Sequence, residues 1–200
     1  MRVVVADYGG GNLRSLSSAL VRAGADPVVT TDAALVEDAP LALIAGVGHV
    51  GSAAAGLHGH GLDDALRARL AAGRPIAGVC VGMQLFFGES EEGGRGLALL
   101  EGGVPRLRAR VVPHMGWNTL ACRRASTLLD GLDGADVYFA HSFAAEPTDP
   151  DVATATVDHD GTIVAAVESG PLAGAQFHPE RSGPAGARVL ENLVRWSRSA

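Results

Sequence analysis

The sequence predicts one α/β domain, residues 1–200, built on a mixed sheet, and three observations lead there. Short, continuously apolar runs alternate with helical periodicity over residues 2–80, the pattern of parallel strands covered on both faces. From residue 104 onward, strand-like runs follow one another across short turns, which requires some antiparallel pairing. The chain has 200 residues, 47% hydrophobic and 19% charged, enough for one buried core and too apolar for a disordered polymer.

The elements follow in order. Arg2–Ala6 is a first strand, ended by the glycine turn Gly9–Gly11. Asn12 is a good N-cap for a helix in which Leu13, Leu16, Ala19, Leu20 and Ala23 recur at helical spacing until Gly24 stops it. Pro27–Thr30 and Leu41–Ala45 are the next strands. Leu62, Ala65, Leu66, Arg69 and Leu70 mark a second helix closed by Gly73, and Pro75–Val79 is a fourth strand. Val104–Val112, Val137–Ala144, Val152–Val157, Ile163–Val167 and Gly174–Phe177 are the later strands, and a last helix covers about Ala185–Ser197. There is no internal repeat and no linker.

Composition removes several classes of function. The net charge is −6 and no basic cluster is interleaved with aromatics, which argues against nucleic-acid and anionic-membrane partners. All 16 basic residues are Arg, so neither a Schiff-base lysine nor a Gly-Lys-Ser/Thr phosphate loop is available. Two cysteines, Cys80 and Cys122, make no disulfide framework, and Cys122, beside Arg123 and Arg124, reads as incidental. Met1–Ala6 carries no signal-peptide pattern and no apolar stretch reaches bilayer length, so a reducing cytoplasm is expected. His58-Gly59-His60 has no third ligand nearby, and no metal or cofactor is expected. Gly9–Gly11 does not match G-x-G-x-x-G, and Glu89–Glu92 reads as a solvated loop.

The chemistry-bearing residues lie at strand ends. Gly78-Val79-Cys80-Val81-Gly82 falls where a strand passes into a helix, and a sharp turn there needs small residues on both sides of a central nucleophile. A cysteine at a helix N-terminus meets unpaired N–H groups and the helix dipole, both of which favour a thiolate. The N–H of Val81 would then face a developing oxyanion, and Gly46-Val47-Gly48, after another strand, could supply the second donor. Gln84 lies one helical turn beyond Cys80 and could bind a polar substrate. His178-Pro179-Glu180 follows the last strand; in an extended segment His178 and Glu180 share a face, so the carboxylate can fix the imidazole. A buried structural cysteine and a surface histidine are the plain alternatives, and their joint occurrence at strand ends favours catalysis.

Gly-Val-Cys-Val-Gly-Met-Gln-Leu (78–85) with Gln-Phe-His-Pro-Glu (176–180) resembles the triad-type, class I glutamine amidotransferases. Asp7-Tyr8-Gly-Gly-Gly-Asn12-Leu-Arg-Ser, Pro113-His114-Met115-Gly116-Trp117-Asn118 and His178-Pro-Glu-Arg-Ser-Gly183 narrow the resemblance to the glutaminase subunits of imidazole glycerol phosphate synthase. It covers essentially the whole chain. The resemblance implies a flavodoxin-like, three-layer αβα fold that hydrolyses L-glutamine to glutamate and ammonia, with Cys80 as nucleophile, His178 as acid and base, and Glu180 as orienting carboxylate.

It further implies that Gln84 and Glu92 bind the amino-acid moiety, that His141-Ser142-Phe143 lines the substrate, and that Gly46–Gly48 is the oxyanion strand. The implied partner is a cyclase subunit, a (β/α)₈ barrel that receives the ammonia and forms imidazole glycerol phosphate and AICAR in histidine biosynthesis. Asn12, Trp117, Tyr138 and Arg181 match positions near that heterodimer interface. One departure stands out: Ala45 replaces the proline usual before Gly-Val-Gly, which removes a fixed φ and is expected to loosen the oxyanion strand. The competing readings are a stand-alone cysteine hydrolase and a non-catalytic flavodoxin-like binding module. The first has no use for Pro-His-Met-Gly-Trp-Asn, and the second leaves three chemical residues to coincidence.

Overall fold

The computed structural model describes residues 1–197. In chain order the strands are β1 Arg2–Ala6, β2 Asp26–Thr30, β3 Leu41–Gly46, β4 Ile76–Cys80, β5 Glu89–Ser90, β6 Gly102–Val104, β7 His114–Thr119, β8 Ala121–Cys122, β9 Asp136–His141, β10 Glu146–Pro147, β11 Ala153–Asp158, β12 Thr162–Ser169 and β13 Leu172–Ala175. The helices are α1 Leu13–Arg22, α2 Ala33–Asp38, α3 Val50–Gly59, α4 Leu62–Ala71, α5 Val81–Gln84 and α6 Gly183–Trp196. None of them is long and apolar enough to cross a membrane.

Eight strands form the central sheet in the order β2-β1-β3-β4-β13-β12-β11-β8. Pairing is parallel from β2 through β13 and antiparallel from β13 to β8, so the sheet is mixed as expected. β3 and β4 are buried along their whole length, which explains why their sequences are apolar at every position. The helices pack in two groups, α1 with α6 and α2 and α3 with α4. Asn12 caps α1 by accepting from the N–H of Ser15, as its sequence position implied. A second small sheet orders β10-β6-β5, and β7 pairs with β9 alone.

Three expectations are corrected. Val104–Val112 is a strand only as far as Val104. Beyond it Pro105 has no N–H to give, and the N–H groups of Leu107 and Arg110 go to the Ser142 carbonyl and the Asp160 carboxylate rather than to a neighbouring strand. Glu89–Glu92 is solvated at Glu89 and Glu91 as expected but is not only a loop: Glu89–Ser90 pairs with β6, Glu91 accepts from the N–H of Arg106, and Glu92 from that of Val50. Helix α3 was not foreseen because its sequence, VGSAAAGLHG, offers glycines and little amphipathic contrast.

Arg69, read above as part of an amphipathic face, is wholly buried. Its guanidinium donates to the carbonyls of Val36, Glu37, Ala39 and Pro75 at 2.7–3.0 Å, so it closes the end of α2 against the start of β4. Burial pulls it down to about 10, below the ordinary arginine range but still cationic at neutral pH.

Candidate active site

The site forms at the carboxyl edge of three adjacent parallel strands, where open α/β sheets place their ligands. Gly46 ends β3 in register with Cys80 at the end of β4, and β13 lies on the other side of β4, with Gly174 beside Gly78 and Ala175 beside Val79. Cys80 takes φ 54° and ψ −111°, a strained conformation for a residue with a side chain. The flanking glycines make it attainable. A Cβ on Gly82 would lie 1.9 Å from the Ile44 carbonyl oxygen, and one on Gly78 would lie 2.6 Å from the backbone of Gly82. The sharp strand-to-helix turn expected from sequence is present, with α5 starting at Val81.

His178 follows β13 and Glu180 lies beyond it, their Nδ1 and Oε1 atoms 2.9 Å apart and both side chains nearly sealed from solvent. The pairing does not run along an extended segment as anticipated. Pro179–Arg181 is a 3₁₀ turn, whose Pro supplies a preset φ at the first helical position, and the turn swings Glu180 back under the ring. Burial alone would push the His178 imidazole down. Hydrogen bonds and opposite charge from Cys80 and Glu180 outweigh it and carry the group up to about 10. The Glu180 carboxylate at 2.9 Å and the nearby Cys80 thus favour the cationic form of the ring.

A cavity of about 230 Å³ opens beside the sulfur. It brings together Cys80, Val81, Gln84, Glu92, Val47, Gly48, His141, Ser142 and Phe143, drawn from loops far apart in sequence. Arg106 and Ala140, which the sequence did not single out, also line it, as do Pro113 and Met115 of the Pro113–Asn118 motif; only the fold shows that these segments fold over the elbow. Gly46 does not line this cavity. It sits in a narrow cleft behind it with Asn12, Val47, His178 and Glu180, its Cα pressed against the Tyr8 ring. Ala45 remains in register with Val79, buried, so the β3 ladder runs unbroken to Gly46 without the usual proline.

Gln84 is buried, and its Nε2 donates both to the Phe143 carbonyl at 2.8 Å and to Gln176 Oε1 at 3.0 Å. Both amide protons are thus spent, and only its carbonyl oxygen can serve another molecule, as an acceptor. Glu92 accepts the Val50 N–H at 3.0 Å, so its carboxylate caps α3 while lining the cavity. His141 donates through Nδ1 to the Phe143 carbonyl at 2.8 Å, and its Nε2 accepts from His114 Nδ1 at 3.0 Å. Burial pushes both rings down to about 4, which keeps them neutral and matches those hydrogen bonds.

Val47 and Met115 of the cavity lining, and Trp117 two residues beyond Met115, are each more than half exposed. Arg181 lies 4.2 Å over the Tyr138 ring, and Trp117 meets the same ring edge-on. Among the described residues no group of three or more His, Cys, Asp or Glu side chains could hold a metal ion.

A cysteine on a strained elbow, an imidazole braced by a carboxylate and a cavity of about 230 Å³ thus meet at one edge of an α/β scaffold. A family model described as glutamine amidotransferase class-I matches residues 4–196, and the chain belongs to that family. It is 46% identical to imidazole glycerol phosphate synthase subunit HisH of Mycolicibacterium paratuberculosis, with 96% of each chain covered. It is 43% identical to the subunit of the same name from Methanothermobacter thermautotrophicus, covering 96% of this chain and 97% of the other. Among solved structures, one described as a glutamine amidotransferase superposes with a TM-score of 0.80 at 20% identity over 98% of each chain, and PurLQS from Thermotoga maritima gives 0.74, also at 20% identity with 98% of each covered. At that identity these two speak for the fold alone.

Proposed function

We propose that Cys80, His178 and Glu180 are the triad with which this chain, as the glutaminase subunit of imidazole glycerol phosphate synthase, hydrolyses L-glutamine and passes the ammonia to a cyclase subunit. The observation that carries the triad is the His178 Nδ1–Glu180 Oε1 pair at 2.9 Å, set just beyond β13 at the sheet edge where Cys80 ends the adjoining strand β4. With the proton resting on the ring, the sulfur can attack the carboxamide carbon without a prior proton transfer. The oxyanion then forms over the start of α5, where the Val81 N–H and an N–H from Val47 or Gly48 are the donors within the cavity wall.

His178 next gives its proton to the departing nitrogen, ammonia leaves, and a γ-glutamyl thioester remains on Cys80. The neutral ring takes a proton from water, the hydroxide adds to the thioester carbon, and glutamate departs as the sulfur regains its pairing with the imidazolium. The Gln84 carbonyl oxygen and the Glu92 carboxylate are acceptors suited to the ammonium and amide donors of glutamine. Asn12 already caps α1, so the cyclase-facing patch rests on Trp117, Tyr138 and Arg181, beside the exposed Met115 and Val47 at the mouth.

Ammonia in bulk water is mostly protonated near neutral pH and then cannot attack, so the two sites must be docked for the product to be useful. A biosynthetic role of this kind supports a cytoplasmic location as part of the same proposal. The test is glutamate release by wild type and Cys80→Ala, each with and without cyclase and its nucleotide. Wild type should be slow alone and accelerate on addition, while Cys80→Ala should be inactive throughout and folded. Turnover by the variant would overturn the nucleophile, and equal wild-type rates in both conditions would overturn the coupling.

A further inference from the structure

The hydrogen bonds behind the elbow assign a role to a side chain that neither the triad nor the cavity wall uses. Gln176 is fully buried at the end of β13, and its Nε2 lies 3.7 Å from Cys80 Sγ, within reach of an N–H···S hydrogen bond. We propose that Gln176 is a further residue of the reacting centre, donating its amide N–H to the Cys80 sulfur and stabilising the thiolate. The proposal rests on the reading of Cys80 as the nucleophile.

The direction of that amide is settled by chemistry. The Phe143 carbonyl can only accept, so the Gln84 atom 2.8 Å from it must be the amide nitrogen. The second proton of the same nitrogen points at Gln176, which must present its oxygen, at 3.0 Å. Gln176 therefore has only its N–H₂ left for the sulfur. The Phe143 carbonyl is held in turn by His141, itself held by His114, and both rings are neutral, so the donors do not reverse near neutral pH. The strand register does the rest: Ala175 pairs with Val79, so the next residues along β13 and β4, Gln176 and Cys80, emerge together at the same edge.

A buried amide that donates to sulfur favours the anion over the thiol, because the charged acceptor forms the stronger bond. It does so with no charge of its own, and leaves His178 free to move protons. Water does not reach Gln176 to compete for the bond.

The experiment is the pH dependence of Cys80 alkylation by iodoacetamide, followed from about pH 5 to about pH 10, in the full chain and in its complex with the cyclase. Cys122→Ser supplies a background with one thiol. Gln176→Met, similar in shape and without a donor, should move the half-maximal point up by about one pH unit, roughly a tenfold loss of thiolate at a fixed lower pH. Gln176→Glu should move it further, since a carboxylate there repels the anion. An unmoved profile in a folded Gln176→Met variant overturns the proposal. If that variant does not fold by circular dichroism, Gln84→Met, which frees the Gln176 amide to turn, must shift the profile the same way, and an unmoved profile there overturns it equally. The triad reading fails separately: glutamine turnover by Cys80→Ala sinks it whatever the Gln176 profiles show.

Discussion

The backbone N–H of His178 donates to the carbonyl of Tyr138 at 2.9 Å, so the proposed acid–base residue is pinned to the strand that carries the exposed aromatic patch. Ser182 doubles the link: its hydroxyl donates to the His178 carbonyl at 2.7 Å and accepts the Tyr138 N–H at 2.9 Å. Because Tyr138 stands opposite Trp117 in the β7–β9 register, one residue pair separates His178 from the proposed cyclase-facing patch. Removing the bridge should therefore separate chemistry from binding. Ser182→Ala is expected to cost about 1–3 kcal/mol in urea unfolding, since it leaves buried backbone groups unpaired. It should lower kcat roughly tenfold with KM for glutamine nearly unchanged. A variant with lowered stability and full kcat would show that the bridge holds the fold and not the imidazole.

The elbow is sensitive to a single methyl group. Gly82→Ala would push a Cβ into the Ile44 carbonyl, a backbone atom at the end of the neighbouring strand that cannot swing aside. The expected result is a loss of about 3 kcal/mol, the upper range for overpacking, and glutaminase activity reduced more than the folded fraction explains. Gly88→Ala, where the nearest atom to an added Cβ is the Ala98 Cβ at 3.7 Å, should be nearly neutral and is the control.

These two glycines also show what was legible beforehand. Cys80 is legible because Gly78 and Gly82 flank it within five residues, although only the Gly78 clash is local and the Gly82 clash is with Ile44 of the neighbouring strand. His178 and Glu180 were found by type and spacing, yet their contact depends on a 3₁₀ turn rather than on the alternation of a strand. Gln176 and Arg106 were out of reach, because their neighbours come from a sheet register and from a loop folded over the cavity. Spacing alone put Arg69 on the same helix face as Leu62, Ala65 and Leu66, and only the carbonyl cluster at the end of α2 shows how a charged residue is accommodated there.

Arg69 gives a test of stability with the site left alone. Arg69→Met fills part of the volume but leaves the Val36 and Ala39 carbonyls without the guanidinium donor, while the Pro75 carbonyl keeps only the Ala42 N–H. Leaving buried carbonyls unpaired costs about 1–3 kcal/mol for each group. The unfolding midpoint should fall accordingly, while kcat of the protein that remains folded should match wild type, as Arg69 lines none of the site cavity. A variant as stable as wild type would mean that the four hydrogen bonds contribute nothing net.

The histidines make stability fall on both sides of neutrality, for opposite reasons. His114 and His141 sit near 4 in the folded protein, against an ordinary value of 6.5, because burial excludes their charged forms. Between those two limits the unfolded chain takes up protons that the folded chain refuses, so this contribution is complete above about pH 6.5 and drains away as pH falls toward 4. His178 runs the other way. Its folded value of about 10 lies above 6.5, so the stability from its pairing with Cys80 and Glu180 is complete below about pH 6.5 and is lost as pH rises through 10. Urea midpoints measured at intervals across this range should trace both limbs. His114→Gln, which removes one refused proton, should flatten the acid limb between about pH 6.5 and 5, where few carboxylates yet titrate. Cys80→Ala, which removes the thiolate partner, should flatten the alkaline limb and leave the acid one unchanged. If Cys80→Ala leaves the alkaline limb as steep as in wild type, the imidazole draws its proton affinity from Glu180 alone, and the thiolate–imidazolium resting state on which the attack depends is not formed.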